Sequence, residues 1–172
     1  MSEQELTPEQ LEIIEERDRQ RLERQFKFTH GHRVRYDEID AQGVVGSGSW
    51  FNLLHLARVE YLRNLGLFLE GGPAPIQLVV RRAGAEFLTS ARFDEAIIFR
   101  VRCAQLGNSS CRFEFLVDNG DQLRLLVAET LVVCVEVEGQ RSIGLPQILR
   151  ERIAEFEGEN LKVRMEDPLS AE

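Results

Sequence analysis

The 172-residue sequence has no run approaching the roughly 18 consecutive apolar residues that a bilayer-spanning helix needs. Its first residues, Met1, Ser2, Glu3, Gln4 and Glu5, also lack the basic start of a signal peptide. A cytoplasmic protein without a membrane partner is therefore expected. Cysteine is scarce: Cys103, Cys111 and Cys134 are odd in number and lack Cys-x-x-Cys spacing. They read as buried reduced thiols in apolar strands, and a disulfide framework is not expected. Cations are outnumbered, with 21 Lys and Arg against 29 Asp and Glu and a net charge of −8. That balance argues against a nucleic-acid partner but leaves room for a local cationic pocket. Histidine is scarce too: His30 and His32 share one strand face without a third ligand at a telling distance, so no metal site is expected.

What is present is one domain's worth of patterned elements, 43% hydrophobic and 29% charged. Residues 1–27 form a charge-dense segment. Thr7 is its N-cap, Pro8 its first helical position and Gln10 the capping-box partner, which predicts a helix through about Arg24. Its stripe of Leu11, Ile14, Leu22 and Phe26 is broken by Asp18, the mark of a partly solvated extension resting on the body or on a neighbouring subunit. Period-two alternation from Phe28 to Tyr36 predicts a strand. A Gly- and Ser-rich loop follows to Ser49, which can cap a helix starting near Trp50. Trp50, Leu53, Leu54, Ala57, Tyr61 and Leu65 recur at helical spacing, and Gly66 is a C-terminal stop.

After the Gly71-Gly72-Pro73 and Pro75 punctuation the chain reads as extended. Strands are expected over 76–88, 96–106, 111–117 and 123–137. Turn chemistry at Gly107-Asn108-Ser109 and Asn119-Gly120-Asp121 makes the later ones antiparallel hairpins. Pro146 opens a short helix from Gln147 to Phe156, followed by a polar, loose tail. The order predicts an α+β fold in which one long helix covers the apolar face of an antiparallel sheet. The divisions are 1–27 for the helical extension, 28–157 for the domain and 158–172 for the tail.

Chemistry gathers in the loop. Asp37, Glu38 and Asp40 stand before a flexible Gly46-Ser47-Gly48-Ser49 stretch that enters the long helix. A helix N-terminus offers unpaired N–H groups to a carbonyl oxygen that is gaining charge. A nearby carboxylate can attack that carbonyl or activate water. Acids before a loop also serve as plain solvated or capping groups, so spacing alone does not decide between the roles.

The string from Arg33 to Val45 (Arg-Val-Arg-Tyr-Asp-Glu-Ile-Asp-Ala-Gln-Gly-Val-Val), followed by Ala57-Arg58-Val59-Glu60-Tyr61-Leu62, resembles the hotdog-fold acyl-CoA thioesterases of the 4-hydroxybenzoyl-CoA thioesterase type. Residues 80–88, 91–95, 106–110 and 144–146 continue the likeness in the family's order. The resemblance implies a hotdog fold, a long central helix wrapped by a curved antiparallel sheet. It also implies sheets joined across a homodimer or homotetramer, with active sites between subunits and acyl-CoA as substrate. Under it, Asp40 matches the catalytic aspartate, and the backbone N–H of Ser47 matches the donor that polarises the thioester carbonyl. No cofactor or metal is implied.

The likeness departs from its pattern at Gly46-Ser47-Gly48, where the family commonly carries bulky side chains. Gly46 and Gly48 should then loosen the loop and line a roomier or more mobile acyl pocket. The same departure motivates the alternative of a non-hydrolysing acyl-CoA-binding hotdog protein. A hotdog dehydratase would need a catalytic histidine at the helix entry, and none lies between His32 and His55. Arg81 and Arg82 are candidate cations for coenzyme A, set by alternation on opposite sheet faces. Asn108 stands at a turn where the family often has a basic residue. Glu60, beside the apolar stripe, competes with Asp40 but reads better as the partner in a structural hydrogen bond or ion pair. His55 reads as a polar neighbour of an interface.

Overall fold

The computed structural model describes residues 7–68, 77–136 and 141–164. Its long helix, α2 (Ser47–Asn64), is the element that the helical spacing of Trp50 to Leu65 dictates. It ends where Gly66 takes φ +69°, a left-handed backbone that glycine adopts without a Cβ penalty. Around it run β1 (Phe28–Arg33), β2 (Leu78–Phe87), β3 (Ala96–Leu106), β4 (Ser110–Asn119) and β5 (Arg124–Cys134). They form one sheet in the order β1-β3-β4-β5-β2, with every neighbour antiparallel. Alternation sends Phe99, Val101, Phe113, Phe115 and Leu126 to one face, where they pack on Trp50, Leu53, Leu54, Ala57 and Tyr61 of α2. Each such side chain contributes about 1.5–3 kcal/mol on leaving water. This face is the hydrophobic core, and it fixes α2 against the sheet.

The other sheet face is charged. Arg102 donates to Glu114 at 2.8 Å, and Arg112 donates to Glu114 at 2.7 Å. Arg112 and Arg82 each lie 3.5 Å from Glu129. Helix α1 (Pro8–Arg24) reaches this face at its C-terminal end, where Glu23 meets Arg100 at 3.6 Å and the Arg102 guanidinium stands 5.2 Å from the Phe26 ring centre. The expected extension resting on the body is thus observed at that end. The side chains of Gln10, Leu11, Ile14 and Asp18 lie outside the described residues, as do the Gly71-Gly72-Pro73 and Pro75 punctuation and residues 165–172.

Three expectations need correction. β1 stops at Arg33, because Val34 donates instead to Glu95 O at 2.9 Å and Tyr36–Glu38 turns into a 3-10 helix. α2 begins at Ser47 with Gly46 as its N-cap, one turn before the expected Ser49 cap. The segment after α3 (Gln147–Glu157) is not uniformly loose: a 3-10 turn at Gly158–Asn160 leads to β6 (Lys162–Val163), which pairs parallel with Gln105 and Leu106 of β3. Glu157 anchors this segment. It is fully buried, and its Oε1 accepts from Tyr61 Oη at 2.6 Å and from the Cys103 N–H at 2.8 Å. Among the described residues its Oε2 has no partner. Burial pushes the Glu157 carboxyl above its ordinary value, although the bonds from Tyr61 and Cys103 and the charges of Arg102 and Lys27 pull the other way.

Candidate active site

The loop between the 3-10 turn and α2 is a closed structure rather than a free tether. Glu38 O accepts the Gly46 N–H at 3.2 Å, Asp40 donates to Val44 O at 2.8 Å, and Gly43 donates to Asp40 O at 2.9 Å. Ile39 and Val45 form an antiparallel bridge across it. Gly43 takes φ +77°, so glycine is what lets the chain reverse there. Val45 and Val44 stitch the loop to the β2–β3 connection through Ala91 O at 2.9 Å and a bridge to Arg92.

This closure brings Asp40 to the mouth of α2. A Cβ built on Gly46 would stand 3.8 Å from the Asp40 Cβ. Asp40 Oδ1 accepts the Gln42 N–H at 2.8 Å, which orients the carboxylate. Gly46 has no side chain to cap the helix, and among the described residues no side-chain bond caps its first turn. The N–H groups of Ser47, Gly48 and Ser49 therefore remain the uncompensated positive end of an 18-residue helix. Beside them lies a cavity of about 200 Å³ lined by Ser47, Trp50, Phe87, Leu88, Thr89 and Ser90. Phe87 and Leu88 are half-exposed. A carboxylate, unpaired donors and an open cleft suit attack on a polarised carbonyl.

Asp40, Gly46, Ser47 and Gly48 are thus brought together. Among the described residues nothing lies within 4 Å of a Cβ built on Gly48, so the helix entry is open there. Arg81 and Arg82 are not part of the group. A register shift between Val80 and Arg82 breaks the simple alternation expected of them. Arg82 lies opposite Leu131, on the face turned away from α2, with Glu129 as its ion-pair partner. Glu60 is ion-paired with Arg63, in keeping with the structural role expected of it. The Arg58 guanidinium donates to His55 Nδ1 at 2.9 Å and to Thr130 Oγ1 at 3.1 Å. Burial and the Arg58 charge hold the His55 ring below its ordinary pKa. Burial also raises the Cys103 and Cys134 thiols, which keeps them protonated and inert. Among the described residues no group of three His, Cys, Asp or Glu is placed to hold a metal ion, and no helix is long and apolar enough to cross a membrane.

Sequence reasoning named Glu38 among the loop acids but missed its burial and its partners. It is 6% exposed, and its carboxylate accepts from the Arg35 N–H at 2.9 Å and from Arg35 Nε at 3.0 Å, with His32 Nε2 at 2.8 Å. Burial alone would raise its pKa, but the Arg35 backbone bond, His32 and the Arg35 side chain together hold it below the ordinary value. The only signal in the chain was the i, i+3 spacing of Arg35 and Glu38.

Comparison with known proteins agrees with this geometry. A family model described as the thioesterase-like superfamily matches residues 34–153. The acyl-CoA thioester hydrolase YbgC of Escherichia coli O6:H1 is 30% identical over 125 residues, which covers 72% of this chain and 91% of that protein. A thioesterase from Thermus thermophilus, solved with coenzyme A and Zn, superposes with a TM-score of 0.66 at 26% identity, covering 78% of this chain and 96% of that one. A 1,4-dihydroxy-2-naphthoyl-CoA thioesterase from Synechocystis gives a TM-score of 0.68 at 20% identity, covering 76% and 97%. The hotdog architecture expected from the sequence is the fold observed.

Proposed function

The chain belongs to the thioesterase-like superfamily, and from that premise we propose that it hydrolyses an acyl-CoA thioester to the free acid and coenzyme A. The observation that carries the reading is the juxtaposition of Asp40 with the uncapped N-terminus of α2. The thioester carbonyl accepts the Ser47 N–H, which stabilises the oxygen as it gains negative charge. Asp40 either adds to the carbonyl carbon, giving an acyl-enzyme anhydride that water cleaves, or takes a proton from a water that adds directly. On both routes the C–S bond breaks, the coenzyme A sulfur leaves and is protonated, and water supplies the new carboxylate oxygen.

Gly46 and Gly48 leave space beside the reacting carbonyl for the acyl group. Arg81 and Arg82, both exposed on β2, are assigned to the phosphates of coenzyme A. In this reading two copies join their sheets along β2, which pairs only with β5 among the described residues and exposes Val79 and Val80. An unpaired ten-residue strand edge carrying valines is a template for another strand. The reading further takes residues 28–157 as the catalytic domain, 1–27 as a helical extension and 158–172 as a tail, in a cytoplasmic homo-oligomer.

Release of free thiol from acetyl-, hexanoyl-, palmitoyl- and benzoyl-CoA tests the activity. Turnover of at least one thioester is the expected result. Binding of acyl-CoA without turnover on any of them would overturn hydrolysis in favour of a non-hydrolysing carrier.

A further inference from the structure

Glu38 occupies a place that its charge alone would disfavour, because a buried carboxylate is costly unless it is paired and hydrogen-bonded. Arg35 supplies two of its bonds from only three residues away, and these tie the 3-10 turn to itself. His32 differs, since it belongs to β1 and is held in register with Ile97 of β3. An ionised carboxylate only accepts hydrogen bonds, so at 2.8 Å His32 Nε2 must carry the proton and donate it. The other end of the same residue closes the loop: Glu38 O accepts the N–H of Gly46, the N-cap of α2. One residue thus links the sheet, through His32, to the base of the loop that carries Asp40 and to the mouth of the helix that carries the Ser47 N–H.

We infer that His32 is a positioning residue, whose hydrogen bond to Glu38 sets Asp40 against the N-terminus of α2. The inference rests on the catalytic reading of Asp40 given above. It requires no contact between His32 and substrate. Its physical basis is that misplacement of a reacting group by about 1 Å can cost on the order of a hundredfold in rate. Asp40 lies outside every strand and helix; its loop is tied to the β2–β3 connection through Val44 and Val45, but among the described residues only Glu38 bonds it to a side chain of β1. The His32–Glu38 link makes that connection.

His32→Gln and His32→Met separate a donor from a space-filler, since the two side chains have similar length and only Gln offers an N–H to Glu38. Each is compared with wild type and Asp40→Asn on the best of the four acyl-CoA thioesters named above, with folding checked by circular dichroism and thermal unfolding. The expected result is a kcat for His32→Met reduced about tenfold or more, KM within about twofold of wild type, and kcat largely restored in His32→Gln. Wild-type kcat in folded His32→Met, or equal loss in both variants, overturns the inference. So does a loss of turnover in His32→Met that merely follows loss of the fold while His32→Gln is as slow. A KM effect alone would make His32 a substrate contact instead. If Asp40→Asn keeps turnover, the catalytic reading itself falls and takes this inference with it. If Asp40→Asn is inactive while His32→Met matches wild type, only the positioning role is lost.

Discussion

Asp40 and Gly46 stand side by side, with 3.8 Å between the Asp40 Cβ and the point where a Cβ on Gly46 would lie. The space next to the candidate catalytic carboxylate is therefore kept open by the absence of one side chain. Gly46 has φ −70° and ψ 154°, an extended backbone that any residue adopts. A side chain can be installed there without backbone strain. Gly46→Tyr should fold normally and narrow the cleft. The expected outcome is a drop of about tenfold in kcat/KM for the bulkiest acyl-CoA accepted, relative to the smallest, from lost apolar room. A substrate profile equal to wild type would show that Gly46 does not shape the acyl pocket.

The Tyr61 hydroxyl donates to a buried carboxylate, Glu157, whose other donor among the described residues is the Cys103 N–H. Tyr61→Phe leaves the ring packing with Phe28, Phe113 and Phe156 in place but removes that bond. A loss of about 1.5–3 kcal/mol in unfolding free energy is expected, the range for a buried hydrogen bond to a charged group. Urea denaturation measures it. A change within about 0.5 kcal/mol, the scale of an ordinary surface substitution, would contradict the assignment.

Glu157 also sets a pH dependence. Its pKa is raised in the folded protein, so between the ordinary carboxylate value and that higher folded value the native state holds a proton that the unfolded chain has released. Unfolding free energy therefore falls as pH rises through that window and then levels off. Glu38 has the opposite sign: its pKa is lowered, so its contribution is present above the ordinary value and is lost as pH falls. Subtracting the stability profile of Glu157→Gln from that of wild type isolates the first effect. The difference should decline with rising pH through the weakly acidic range. A flat difference would mean that Glu157 is not perturbed by its burial.

The free edge of β2 carries the assembly claim. Val80 is half-exposed on that strand, and a lysine on an edge strand opposes pairing with another strand. Val80→Lys should shift the mass measured by light scattering from an oligomer toward the monomer and lower kcat with it, since the reading puts the site between subunits. An oligomer unchanged in mass would move the interface elsewhere.

Much of this was legible in the chain because it rests on local periodicity. The helical spacing from Trp50 to Leu65 and the turn residues at Gly107–Ser109 specify their elements without distant partners. That Asp40 stands in a loop leading into a helix was legible from the residue order, whereas the roles of Asp40 and Ser47 came only from the family resemblance. What stayed hidden depends on residues far apart in sequence. Glu157 reads as the start of a polar tail, yet it is buried because Tyr61, 96 residues away, and Cys103 complete its bonds. Glu38 reads as one of several acids before a loop until His32 of β1 is seen beside it. The register shift between Val80 and Arg82 was not legible either, because no alternation rule anticipates an added residue in a strand. Gly46 displaced Ser49 as the helix cap because the loop's closing bond to Glu38 O starts the helix one turn earlier.

The most direct test of the account is the rate of thiol release by wild type and by Asp40→Asn on the same acyl-CoA. Asn keeps the size of Asp and an acceptor for the Gln42 N–H, but it neither adds to a carbonyl nor takes up a proton at neutral pH. The account predicts a kcat/KM reduced about a thousandfold or more, in a protein whose unfolding midpoint and oligomeric mass are unchanged. A folded Asp40→Asn protein that retains turnover within a few-fold of wild type would contradict it.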